Sequence, residues 1–138
     1  MRRQFDLLEE DQEFLENLGL HWEAVTEGNV LWVLIHNYPL HPQYAQPEVS
    51  VAVHLPSGYP RVQLDMAYFF PAIHRVDGKP IGALAHRIID GKTWQRWSRH
   101  RTTRNSWREG VDNLSTHFAL IENWLEREFR LKPYAIPA

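Results

Sequence analysis

A chain of 138 residues is of one-domain size, and its 43% hydrophobic content, with six tryptophans, is enough to build one core. The formal net charge of −2 argues against a dedicated polyanion binder, and the absence of cysteine excludes disulfides, cysteine-ligated zinc, iron–sulfur clusters and thiol catalysis. Met1 to Asp6 turns acidic early without an apolar signal-peptide core, and no apolar run nears the roughly 20 residues of a membrane span. The expectation is a cytoplasmic protein with no membrane segment, a single domain over residues 1–138.

Residues 6–18 read as a helix. Phe5, Leu8, Phe14, Leu15 and Leu18 form its apolar stripe, Glu9, Glu10, Asp11, Glu13 and Glu16 face water, Asp6 is the N-cap and Gly19 the stop. Residues 20–26 read as a first strand. Gly28-Asn29 turns the chain into a second, Val30 to Ile35, rich in β-branched and aromatic residues. After a loop of Pro and His, Val49, Val51, Val53 and Leu55 alternate onto one face of a third strand. A fourth is expected over Gln63–Tyr68. Short connections favour an antiparallel meander of four strands. From Ile73 to Asn105 clean periodicity is lost and a long irregular loop is expected, with turns at Asp77-Gly78 and Asp90-Gly91. A closing helix over 111–129 follows from the stripe Val111, Leu114, Phe118, Ile121, Leu125 and Phe129, and Pro133 and Pro137 end regular structure.

Three strings are distinctive: Leu55-Pro56-Ser57-Gly58-Tyr59-Pro60 between the third and fourth strands, Trp94-Gln95-Arg96-Trp97-Ser98-Arg99-His100 in the loop, and Ser106-Trp107 before the last helix. With the element order they resemble the ubiquitin-conjugating fold, an α+β fold, and in particular the prokaryotic ubiquitin-conjugating-like family E, over roughly residues 6–130. The resemblance implies work in a ubiquitin-like conjugation pathway with a ubiquitin-like protein, an activating-enzyme-like protein and a JAB-type peptidase encoded nearby; it implies no cofactor. Such enzymes carry their cargo as a thioester, which needs a thiolate. Here the family's nucleophile position has two readings. Counting back from Trp107 lands near Ser98 and Arg99; counting forward from Asp77-Gly78 lands near Ile81. His74 matches the His of the family's His-Pro-Asn string, but Arg75 and Val76 replace its other members, so the oxyanion role commonly assigned to that Asn has no evident carrier.

Ser98 and His100 are the candidate catalytic pair. A serine needs a base to accept its proton, and imidazole serves at neutral pH, provided the local backbone is extended enough to set residues two apart on one side. The candidate binding residues are Trp94, Arg96, Trp97, Arg99 and Arg101. Segment 92–108 holds six Lys or Arg and no acidic residue. Basic residues interleaved with tryptophan are a pattern for single-stranded nucleic acid, yet the slightly negative chain makes nucleic acid a lesser expectation than a protein partner or tryptophans packed on the sheet. The histidines have no metal-ligand spacing, so no metal is expected; His117 reads as a polar-face or boundary residue of the last helix. Asp77 and Asp90, each before Gly, read as turn residues. Three functions stay open: an acyl carrier using Ser98, an inactive binding module for the ubiquitin-like protein or activating enzyme, and a nucleic-acid contact.

Overall fold

The computed structural model describes residues 1–133; the expected stop at Pro137 lies outside them. In chain order the elements are α1 (Glu9–Leu18), β1 (Trp22–Glu27), β2 (Val30–Pro39), β3 (Glu48–Leu55), β4 (Ala67–Phe70), β5 (Leu84–Ile89), β6 (Lys92–Trp97) and α2 (Leu114–Leu131), with one 3-10 turn at Thr103–Asn105. The strands form one antiparallel sheet in the order β1-β2-β3-β4-β6-β5.

The expected four-stranded meander is therefore extended to six strands, and the expected irregular loop contains a hairpin. Asp90 (φ 53) and Gly91 (φ 75) both take positive φ, and Ile89 faces Lys92. This is the two-residue turn whose twist suits antiparallel strands. β6 pairs with β4 on its other side, Ala67 opposite Trp97. The pattern is cryptic for two reasons. β5 is an edge strand with Leu84 and Ile88 exposed. Trp94 and Trp97, three apart on β6, are buried on opposite faces.

Other boundaries shift for local reasons. Arg3 bridges Ala24 and the Gln4 N–H donates to the Ala24 carbonyl, so the first residues run beside β1. The helix cannot begin at Asp6; it starts after Leu8, which makes no side-chain cap, and stops at Gly19 in the left-handed conformation, as expected. β4 begins only at Ala67, later than the Gln63–Tyr68 expectation, because Met66 sits at φ 57 with its N–H on the Arg99 carbonyl. α2 starts at Leu114, not 111. Asn113 accepts from the Ser115 and Thr116 amides while the Thr116 hydroxyl accepts from the Asn113 N–H, a complete capping box, and Val111 is exposed.

Both helices pack on one face of the sheet. Leu15 of α1 and Leu114, Phe118, Ile121, Trp124 and Leu125 of α2 share a cluster with Val49, Val51, Val53 and Leu55 of β3, the face their spacing predicts. A smaller cluster covers part of the other face, with Val25, Trp32, Leu34, Ala52, Tyr68, Ile89 and Trp94; Trp32 meets Tyr68 edge-on at 5.1 Å.

Candidate functional site

The hairpin β5–β6 closes on itself at its base. Ser98 donates its N–H to the Ala83 carbonyl at 2.9 Å, and Arg99 Nη1 donates to the Gly82 carbonyl at 3.0 Å. Gly82 and Ala83 thus meet Ser98 and Arg99, far apart along the chain. The Arg99 N–H donates to the Trp97 carbonyl at 2.9 Å, closing a three-residue turn centred on Ser98. This turn replaces the extended backbone that the Ser98–His100 pairing assumes. Beside it opens a cleft of about 300 Å³ between Gly82, Ala83, Arg99 and, from α2 and its C-cap, Trp124, Arg127, Glu128 and Lys132.

His100 is exposed, and its Nδ1 lies 2.9 Å from Asp65 Oδ2 and 3.0 Å from Oδ1. Among the described residues no hydrogen bond joins it to Ser98. The Asp65 contact does fix which nitrogen is left: with Nδ1 turned to the carboxylate, Nε2 is the one that can take a proton.

The five candidate binding residues separate. Trp97 is fully buried in the main core, its Nε1 donating to Gln95 Oε1 at 2.9 Å; Trp94 is buried in the other, its Nε1 donating to the Ile89 carbonyl at 3.0 Å. Neither ring is accessible for stacking on a base. Arg96 on β6 stands opposite Tyr68 of β4, and its Nε is buried without a hydrogen-bond partner among the described residues. Arg101 is committed internally: it lies 3.7 Å from Asp112 and over the Trp107 ring at 5.0 Å. Burial works against the Asp112 carboxylate, yet the Arg108 amide, the Thr116 hydroxyl and the Arg101 charge hold it below the ordinary range. Arg99 alone of these arginines borders the cleft. Burial pulls its pKa down, opposed by Glu128, whose Oε2 is 3.8 Å away.

The residues carrying the family likeness form two structural knots. Tyr59 donates to Asp11 Oδ2 at 2.6 Å, and Asp11 Oδ1 accepts from the Leu114 N–H at 3.2 Å. An acidic residue expected to face water is instead fully buried, satisfying an orphan amide at the start of α2. Burial raises its pKa, against both hydrogen bonds. Trp107 joins this knot by donating Nε1 to the Pro60 carbonyl at 2.9 Å. In the second knot Arg75, standing where the family string has Pro, is buried: its Nε donates to Asp77 Oδ1 at 3.0 Å and its guanidinium lies 4.2 Å over the Phe129 ring. This ties the His74 turn to the end of α2. His74 itself is exposed and gives its N–H to Gln46 Oε1.

Sequence reasoning missed Gln95, Asp65 and Glu128. Gln95 is buried and clamps the segment after β4, accepting from the Ile73 N–H at 2.9 Å and donating to the Ile73 carbonyl at 3.2 Å. Its signal was its place between two tryptophans on one strand. Asp65 and Glu128 come from distant elements and had no local signal. His117, expected at a boundary, is fully buried with Nε2 at 2.9 Å from the Met66 carbonyl. Among the described residues no three metal-ligating side chains converge, and no helix is long and apolar enough to cross a membrane.

Compared with known proteins, residues 7–128 match the family described as prokaryotic E2 family E. No curated protein and no solved structure matches the chain.

Proposed function

The chain belongs to prokaryotic E2 family E, which gives it a role in ubiquitin-like conjugation, and we propose that it accepts a ubiquitin-like protein from an activating enzyme as an ester on Ser98. One observation carries the reading. The two counts toward the family's nucleophile, one from Trp107 and one from Asp77-Gly78, diverge along the sequence by the length of a hairpin, and the 2.9 Å bond from the Ser98 N–H to the Ala83 carbonyl places Ser98 opposite a residue two positions from the second count's endpoint, Ile81. Ser98 is the nucleophilic side chain at that point.

The Ser98 Oγ attacks the thioester carbonyl carbon presented by the activating enzyme. The carbon–sulfur bond breaks, the thiolate leaves and the Oγ proton passes to His100 Nε2. Asp65 holds the opposite nitrogen and fixes the ring's tautomer. Exposed His100 swings toward Ser98 when the partner docks, a closure common where unliganded geometry is loose. The basic cleft beside Ser98, with Arg99, Arg127 and Lys132 around Glu128, receives the C-terminal tail of the ubiquitin-like protein. An ester reacts more slowly with amines than a thioester, so positioning has to supply more of the rate.

A second reading, a binding module without transfer, is favoured by the tight turn at Ser98 and by the replacement of the family's Asn. One assay separates them. The protein is incubated with ATP, its cognate activating enzyme and the ubiquitin-like protein. A carrier gives an adduct that resists thiol reductant, yields to hydroxylamine and is lost in Ser98→Ala; His100→Ala slows its formation by roughly 10²–10⁴-fold. Tight binding with no adduct establishes the binding module.

A further inference from the structure

The face of the sheet opposite the helices carries a second set of chemical groups. Three neighbouring strands each contribute one: Glu23 from β1, His36 from β2 and Ser50 from β3. His36 Nε2 lies 2.7 Å from Glu23 Oε2, and His36 Nδ1 lies 2.8 Å from Ser50 Oγ. The register explains the convergence. Ile35 faces Val51 and Tyr38 faces Val49, so His36 and Asn37 together oppose Ser50 in a bulge, with Asn37 at φ 57. Bulges of this kind re-aim a side chain. The cluster lines an open cleft of about 510 Å³, whose apolar wall is Phe70 and Trp94.

Charge sets the tautomer. Arg2 Nε donates to Glu23 Oε1 at 2.9 Å. That bond, against the opposing effect of burial, holds the Glu23 pKa down to about 2. An ionised Glu23 can only accept, so the Nε2–H of His36 donates to it, which leaves Nδ1 as acceptor for the Ser50 hydroxyl. The order carboxylate, imidazole, hydroxyl is that of an activated serine, with the two ring nitrogens exchanged. Lys92 lines the same cleft, 5.2 Å from the Phe70 ring, and makes no ion pair among the described residues. It is the cation at hand for a developing oxyanion.

We propose that Glu23, His36 and Ser50 form a second nucleophilic site, separate from Ser98, that hydrolyses esters of short apolar acids. Ser50 Oγ attacks the ester carbonyl carbon and gives its proton to His36 Nδ1. The bond to the alkoxide leaving group breaks, and that proton leaves with it as the alcohol. Water then attacks the acyl-serine, returning a proton to Ser50 and releasing the acid. Glu23 is a positioning residue that acts through His36, and Phe70, the partly exposed ring of the cleft's apolar wall, takes the acyl chain.

The test is labelling with a fluorophosphonate followed by peptide mass mapping, together with hydrolysis of p-nitrophenyl butyrate. The expected label is on Ser50, and Ser50→Ala, folded by circular dichroism, loses both label and turnover. His36→Gln lowers kcat by about 10²–10⁴-fold. Glu23→Gln lowers kcat while KM stays near its original value, a split that a purely structural ladder would not produce. Ser57→Ala, on an exposed turn, changes neither. Absence of label, label only at other residues, or turnover unchanged in Ser50→Ala overturns the proposal. Because the readout uses no ubiquitin-like protein, its outcome is independent of the Ser98 reading.

Discussion

His117 lies on a helix rich in charge, yet it is fully buried, with its Nδ1 lacking a hydrogen-bond partner among the described residues. Burial pulls its pKa from the ordinary 6.5 to about 4. The folded protein holds the ring neutral while the unfolded chain takes up a proton below pH 6.5. The contribution to stability is therefore fully present above pH 6.5 and drains away as the pH falls to 4, by on the order of 3 kcal/mol. Urea unfolding at pH 7.5 and pH 5 measures the slope, and His117→Gln flattens it. Glu23 acts in a separate, lower window: held at about 2 against an ordinary 4.5, its contribution is present above 4.5 and is lost as the pH falls through 2. Gly58 is a steric case. At φ 91 an added Cβ would meet Val62 Cγ2 at 2.9 Å, so Gly58→Ala destabilises by about 1–2 kcal/mol from the backbone alone, read as a lower denaturation midpoint with unchanged slope.

The hairpin β5–β6 is the element that decides both fold and site. Asp90-Gly91 flanked by Ala85 to Ile89 and Thr93 to Trp97 is a hairpin signal. It was legible as a turn but not as two strands, because an edge strand exposing Leu84 and Ile88 has no hydrophobic alternation. By contrast β3, buried against both helices, was readable from its period of two, and α2 from its stripe; only their ends depended on caps and on Met66. Trp97 anchors the hairpin to the main core and Trp94 to the other cluster. Trp97→Ala should cost about 3–5 kcal/mol and release the Ala83–Ser98 closure. Hydrogen exchange follows that release directly: the amide of Ser98, bonded to Ala83, loses its protection in Trp97→Ala, whereas protection at β3 is largely kept.

Across the whole molecule the frame was legible and the chemistry only in part. Tyr59, Pro60 and Trp107 carried the family likeness because they build the knot between α1, the turn and α2, whose spacing the fold dictates. The site was harder. Ser98 and His100 stand two apart and could be noticed, but Asp65 reaches His100 across 35 residues. Glu23, His36 and Ser50 converge only through strand register, 13 and 14 residues apart. No linear spacing encodes such meetings. The basic run 92–108, which reads as a docking stripe along the sequence, is partly spent inside the fold: Arg101 on Asp112, and Arg99 toward Glu128, whereas Arg108 reaches Asp112 from an exposed position.

That Ser98 stands where the family's nucleophile belongs is tested most directly by giving it the family's own chemistry. In Ser98→Cys, incubation with ATP, the cognate activating enzyme and the ubiquitin-like protein should yield an adduct that thiol reductant removes, while the original protein's adduct survives the same treatment. A cysteine at Ala83, its backbone partner across the hairpin base, should give none. A Ser98→Cys protein that binds the ubiquitin-like protein but forms no reductant-sensitive adduct would contradict the assignment.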